Sequence, residues 1–164
     1  MEPRTVSRRI GCGASGLPLY GEIDALRRFR TTFRARADDI DELDHVNNAV
    51  WVDWAQEASM AHWFAAARGC DRDRYVAMVL KHEIEYRGNI RVGEDVTALT
   101  WVEGPPRGAR YTRCVEFVHA DGRRLVIAIS QWALIDRSSG RPVRVPFEVA
   151  APFLRDDSMR EVVE

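Results

Sequence analysis

After residue 79 the chain adopts a two-residue hydrophobic rhythm and keeps it for more than fifty residues, which leaves little choice of fold. Leu80, His82, Ile84 and Tyr86 alternate with Lys81, Glu83, Glu85 and Arg87, and Val96, Ala98, Thr100 and Val102 alternate with Thr97, Leu99, Trp101 and Glu103. Side chains spaced by two fall on one face of a strand, so this pattern predicts strands with one face buried. Residues 111–119 and 125–135 predict a hairpin turned at Ala120-Asp121-Gly122. Its second arm is almost wholly apolar and is therefore expected at the centre of the sheet.

A single long helix precedes these strands. Over residues 48–68 the apolar side chains of Val50, Trp54, Ala58, Ala61 and Ala65 recur at three- and four-residue steps, and Gly69 reads as the stop. Trp51, Val52, Ala55 and Trp63 spread the apolar surface around much of the circumference, so the helix is expected to be enclosed. Phe29, Thr31 and Phe33 alternate with arginines ahead of it, a strand signal. Residues 71–75 read as a polar turn and 147–153 as a short closing segment. Glycines at 11, 13, 16 and 21 with Pro18 break up the start. Residues 1–27 are accordingly read as an extension, loosely held or adding a short strand, and residues 28–164 as one domain. Strand, long helix and four strands predict an α+β layer, an antiparallel sheet curled around one enclosed helix.

Composition removes several classes of function. The 164 residues suit one domain with one core. Lys plus Arg against Asp plus Glu leaves a net charge of −1, and no basic run interleaves with aromatics, so nucleic acid is not an expected partner. No window approaches the roughly 20 apolar residues of a membrane span, and the first residues lack the apolar stretch of a signal peptide. A soluble, cytoplasmic protein with no membrane partner is expected. Cys12, Cys70 and Cys114 form no pairable pattern and read as inert thiols in a reducing compartment.

The chemistry concentrates in residues 39–49, where Asp39, Asp41, Glu42, Asp44, His45, Asn47 and Asn48 run directly into the helix. Asp and Asn also cap helices, and Asp44, Asn47 and Asn48 could each do so. One cap serves one helix, however, and the mutual repulsion of so many carboxylates asks for a further role. Asp41 and His45 can each exchange a proton, while the free amides at the helix start offer positive charge to an oxyanion. A metal fits the spacing poorly. No Gly follows Asp38 before Gly69, as a calcium loop would need, and His62, His82 and His119 are scattered with no CxxC. No metal and no cofactor is expected. Glu57 is the one carboxylate within the helix's apolar stripe, either functional or reaching water from its edge.

Asp39-Ile40-Asp41, Asp44-His45-Val46-Asn47-Asn48, Ile84-Glu85-Tyr86-Arg87 and Val92-Gly93-Glu94-Asp95-Val96, set in this order of elements, resemble the hotdog-fold thioesterases of the 4-hydroxybenzoyl-CoA thioesterase and acyl-ACP thioesterase group. The resemblance runs from about residue 28 to 152 and rests most on the DxDxxxHVNN stretch. It implies that Asp41 is the nucleophile or the base activating water, that the Asn48 backbone N–H binds the oxyanion, and that His45 transfers or positions a proton. Leu43 and Asn89 depart from the plant-type enzymes, which carry Asn and Glu there. Glu57 is the residue able to take the role of a helix carboxylate found in other members.

The expected function is hydrolysis of an acyl thioester, on coenzyme A or acyl carrier protein, to a free acid and a thiol. Arg107 and Arg110, in the 104–109 loop, are candidates for the nucleotide phosphates, although solvated arginines are common. Trp51, Trp54 and Met60 could line the acyl chain, although aromatics at helical spacing are more often core. A non-catalytic acyl-CoA binder and a hotdog dehydratase or hydratase are the alternatives. A lone sheet would leave the edge of the apolar hairpin and one helix flank bare, so a homodimer or homotetramer is expected, with the site shared between subunits.

Overall fold

The computed structural model describes residues 5–6 and 20–155. Cys12 and the glycines at 11, 13 and 16 lie outside the described residues. Among the described residues eight strands make one antiparallel sheet: β1 (Thr5–Val6), β2 (Gly21–Ile23), β3 (Phe29–Arg34), β4 (Tyr75–Tyr86), β5 (Asp95–Arg107), β6 (Arg110–Val118), β7 (Arg124–Asp136) and β8 (Arg141–Pro142). Their order is β1-β2-β3-β5-β6-β7-β4, with β8 on β7. The long helix α1 (Asn48–Ala66) crosses the concave face and packs on β3, β5 and β6. The architecture is the expected α+β one, a curled antiparallel sheet around one helix. β2 pairs with β3, so the sheet itself runs back past residue 27.

The alternation in the sequence sets the core. Val96, Ala98, Thr100 and Val102 of β5 are buried together, as their period of two requires. Beneath the first half of α1, Trp54 stacks on Phe33 at 5.2 Å and Trp51 meets Phe117 edge-on at 5.0 Å. Ala55, Ala58, Ala98 and Ala128 are the small residues between which the helix and sheet approach. Burial of each large side chain contributes roughly 1.5–3 kcal/mol, so this aromatic cluster fixes α1 on the sheet. At the other end of α1, the short helix α3 (Phe147–Ala150) and a 3-10 turn (Ala151–Phe153) close the core, with Phe153 stacked on Trp63 at 5.7 Å.

Several expectations need correction. α1 stops at Ala66, because Ala67 and Arg68 turn extended, and Gly69 opens a second helix, α2 (Gly69–Arg74), instead of capping the first. The Arg68 guanidinium holds Asp71 with two bonds, at 2.6 and 2.9 Å, and residues 71–74, expected as a turn, are helical. β4 starts at Tyr75, five residues before the visible alternation, because it contains a bulge. Val79 pairs with Trp132 and Lys81 with Gln131, which leaves Leu80 as the extra residue. The bulge swaps faces: Tyr75, Ala77 and Val79 turn inward before it, His82 and Ile84 after it, and Leu80 is exposed. The bare edge is also not that of the apolar hairpin. β7 lies between β6 and β4, and among the described residues the sheet ends on one side at the two-residue β1 and on the other at the long β4, beside exposed Val76, Met78 and Leu80. Among the described residues no helix is long and apolar enough to cross a membrane.

Candidate active site

The turn that feeds α1 is built by backbone bonds. Asp41 N–H donates to His45 O at 2.8 Å, Asp44 N–H to Asp41 O at 3.1 Å, and Ile40 and Val46 bridge as strand partners. Closing this turn forces Asp44 to φ 61°, the left-handed region that Asp and Asn tolerate better than branched residues. Asp39 works within the backbone: its carboxylate accepts Arg36 N–H at 2.8 Å and its carbonyl accepts Asn47 N–H at 2.9 Å. Of the three possible caps, Asn47 is the one in use, its Oδ1 accepting Ala49 N–H at 2.9 Å.

The result is a closed turn, carrying Asp41 and His45, that leads directly into the start of α1. Asp41 is half-buried, and its Oδ1 accepts Leu43 N–H at 2.9 Å, which orients the carboxylate. Residues 41 and 45 are the closing pair of the turn, so Asp41 and His45 are brought together ahead of Asn48. The His45 ring, also half-buried, makes no hydrogen bond to any described residue. Ala49 and Val50 amides are satisfied by Asn47, whereas Asn48 N–H, the first amide of α1, donates to no described residue. That amide points from the positive end of a 19-residue helix.

Asn89, noted in the sequence only as a departure, carries much of this arrangement. Its Oδ1 accepts Val46 N–H at 3.0 Å and Ile90 N–H at 2.8 Å, and its Nδ2 donates to Val46 O at 2.9 Å. Tyr86, at the end of β4, donates its hydroxyl to Asn48 O at 3.1 Å, and burial raises its phenol pKa. Arg91 faces Asp44 at 3.9 Å across solvent. The signal that could have found Asn89 is its residue type, since an amide in a Gly-Asn turn can donate and accept in the same place.

Other candidates lie elsewhere. Glu57 is half-buried and sits about 13 Å along α1 from Asn48, at roughly 1.5 Å per residue. Trp51 and Trp54 lie in the aromatic core, while Met60 is exposed. Residues 104–109 are not a loop: β5 continues to Arg107, which pairs with Arg110 across a tight turn at Gly108, φ 61°. Both arginines are exposed. They stand at the opposite end of β5 from Asp95, the partner of Arg34 beside the site, on the order of 40 Å along the strand at about 3.3 Å per residue. Arg107 and Arg110 therefore do not meet Asp41 within one protomer. Among the described residues no group of three or more His, Cys, Asp or Glu side chains is set to hold a metal.

A sheet curled around one helix, with a polar turn delivering Asp41 and His45 to the helix start, defines a hotdog-fold protein. Residues 35–153 match the model of the thioesterase-like superfamily, and the chain belongs to that family. Solved structures agree on the fold. A thioesterase from Thermus thermophilus, complexed with coenzyme A and Zn, superposes with a TM-score of 0.65 at 21% identity, over 76% of this chain and 90% of that one. A 1,4-dihydroxy-2-naphthoyl-CoA thioesterase from Synechocystis gives 0.61 at 12% identity, over 84% and 98%. An acyl-ACP thioesterase from Bacteroides thetaiotaomicron gives 0.68 at 18% identity, over 77% of this chain. The chain spans about half of the Bacteroides protein, 53%, and 50% of a Lactobacillus plantarum relative. No curated protein matches it in sequence.

Proposed function

We propose that this protein hydrolyses an acyl thioester, carried on coenzyme A or on acyl carrier protein, to a free acid and a thiol. The observation that supports the reading is that the turn carrying Asp41, its carboxylate oriented by Leu43 N–H, leads directly into α1, whose first amide, Asn48 N–H, donates to no described residue. The thioester carbonyl oxygen accepts the Asn48 N–H, whose pull grows as the oxygen becomes an oxyanion. Asp41 either attacks the carbonyl carbon or takes a proton from the water that attacks it; the C–S bond then breaks and the thiolate leaves with a proton. In the nucleophilic route, water hydrolyses the resulting anhydride. His45 assists or positions the proton, and Glu57 is the alternative carboxylate. Family membership supports this class of reaction.

The acyl chain runs along the exposed flank of α1 with Met60 as its candidate lining, while Trp51 and Trp54, packed against Phe33 and Phe117, belong to the core instead of the lining first expected of them. Arg107 and Arg110 would serve coenzyme A phosphates in a partner subunit's site, given their distance from Asp41 in their own. A homodimer or homotetramer is part of the proposal: β4 offers an unpaired edge with Val76, Met78 and Leu80 beside it, and pairing two such edges covers both. Residues 28–164 would form the single catalytic domain, with residues 1–27 an extension to it, in the cytoplasm. The deciding experiment is thiol release from a panel of acyl-CoA and acyl-ACP thioesters of varied length and aromaticity. Turnover of at least one is expected. Tight binding with zero release across the panel would make the protein an acyl-thioester binder instead.

A further inference from the structure

The far end of α1 holds a second polar arrangement that the thioesterase chemistry does not use. Arg113 on β6 is 3% exposed, yet among the described residues no carboxylate lies within 4.0 Å of its guanidinium. Its Nη1 donates to His62 Nδ1 at 3.1 Å and to Thr100 Oγ1 at 3.2 Å. Thr100 in turn donates to Cys114 O at 2.9 Å. A guanidinium can only donate, so His62 Nδ1 accepts and the neutral ring carries its hydrogen on Nε2. That Nε2 is fully buried and has no hydrogen-bond partner among the described residues. Burial and the neighbouring Arg113 hold the His62 pKa well below its usual value, in keeping with a neutral ring. The Arg113 Nε and Nη2 donate to no described residue.

Arg113 lines a cleft with Trp63, Val102, Tyr111, Val149 and Phe153. The cleft is small, about 30 Å³, and opens to solvent, and its walls are almost entirely apolar. Burial raises the Tyr111 pKa, so its hydroxyl is a neutral donor or acceptor at this wall. A buried cation with no counter-charge is unfavourable, and the two acceptors it has, His62 Nδ1 and Thr100 Oγ1, are both neutral and both engage the same Nη1. The free edge of a guanidinium matches a carboxylate with two parallel bonds. One positive charge balances one negative charge, and the apolar walls suit a hydrocarbon or aromatic body better than a hydrated phosphate.

We propose that the Arg113 cleft is a binding site for a monocarboxylate with an apolar body, separate from the thioester site. His62 lies about 21 Å along α1 from Asn48, at roughly 1.5 Å per residue. The carboxylate could belong to a free acid or to the far end of an acyl group, and the two sources are separable.

Calorimetric titration of the full chain with hexanoate, benzoate and the uncharged hexanamide tests the site. Hexanoate and benzoate should bind and hexanamide should not. Arg113→Met should weaken carboxylate binding by roughly ten- to a hundred-fold, as expected for losing charge-assisted bonds. Arg113→Lys keeps the charge without the fork and should weaken binding less; it also decides the matter if Arg113→Met fails to fold. A rise in KM for hexadecanedioyl-CoA but not palmitoyl-CoA in the variant would identify the acyl tail as the source, because only a long chain spans that distance, and carboxylate binding lost with both KM values unchanged would identify a free acid. Equal affinity for hexanoate and hexanamide, or hexanoate binding unchanged in both variants, would overturn the proposal. So would the absence of binding at tens of millimolar.

Discussion

Asn89 holds Val46 from both sides, accepting its N–H at 3.0 Å and donating to its carbonyl at 2.9 Å, so a single amide ties the segment that follows β4 to the turn before α1. Asn89→Ala removes these two bonds and the one from Ile90 N–H in a half-buried site, and should lower stability by about 1–3 kcal/mol. Turnover should fall with it, because Asp41 and Asn48 sit on the turn being held. Asn89→Asp keeps the acceptor and loses the donor, and should lie between. Urea midpoints and thiol-release rates for the three proteins check the order; an Asn89→Ala midpoint equal to the parent's would remove the clamp.

Asp44 occupies φ 61° on the same turn. A β-branched residue there meets its own backbone, so Asp44→Val should destabilise by about 1–2 kcal/mol. Asp44→Gly should be neutral or slightly stabilising, since its exposed contact with Arg91 at 3.9 Å contributes little. Thermal melts of both variants read the difference, and equal melting of the Val and Gly proteins would contradict the backbone account.

Asp136 closes β7 and accepts hydrogen bonds from Ser138 and Ser139, with Arg74 nearby. The Ser138 hydroxyl first, then the Ser139 amide, hold its carboxyl well below the usual carboxylate range. The folded pKa is depressed, so the stabilisation is fully present above the unfolded value of about 3.9 and is lost as pH falls toward the folded one. Asp136→Asn should therefore flatten the fall of melting temperature between about pH 4 and pH 2. An unchanged slope in the variant would assign acid lability to other carboxylates.

Met78 and Leu80 stand exposed on the free edge strand. Replacing both with Lys puts like charges along the edge that two copies would share. Light scattering should then show a shift from dimer or larger species toward monomer, with activity falling in parallel. A parent protein that is monomeric and fully active would contradict the shared edge.

The strands and the helix were legible because alternation and helical spacing survive in the buried faces: Val96, Ala98, Thr100 and Val102 read as one face and are one face. The bulge at Leu80 was not legible, since an inserted residue only displaces the phase and Leu80 happens to extend the later pattern backwards. Gly69 misled because a helix-stopping residue type serves equally well as the first residue of a new helix once Arg68 holds Asp71. In the site, Asp41, His45 and Asn48 are neighbours in sequence and their grouping was visible there. Asn89 reaches Val46 across 43 positions, and Arg113 reaches His62 across 51, contacts that only the folded sheet creates.

The central claim is that Asp41 drives thioester hydrolysis from the turn before α1. Asp41→Asn keeps the acceptor for Leu43 N–H and the shape of the turn, but removes the base or nucleophile. Steady-state thiol release from the best acyl-CoA should fall by roughly 10²–10⁴ in this variant, with melting temperature unchanged. Near-parent turnover in Asp41→Asn, with Glu57→Gln inactive, would contradict the account and move the chemistry onto the helix.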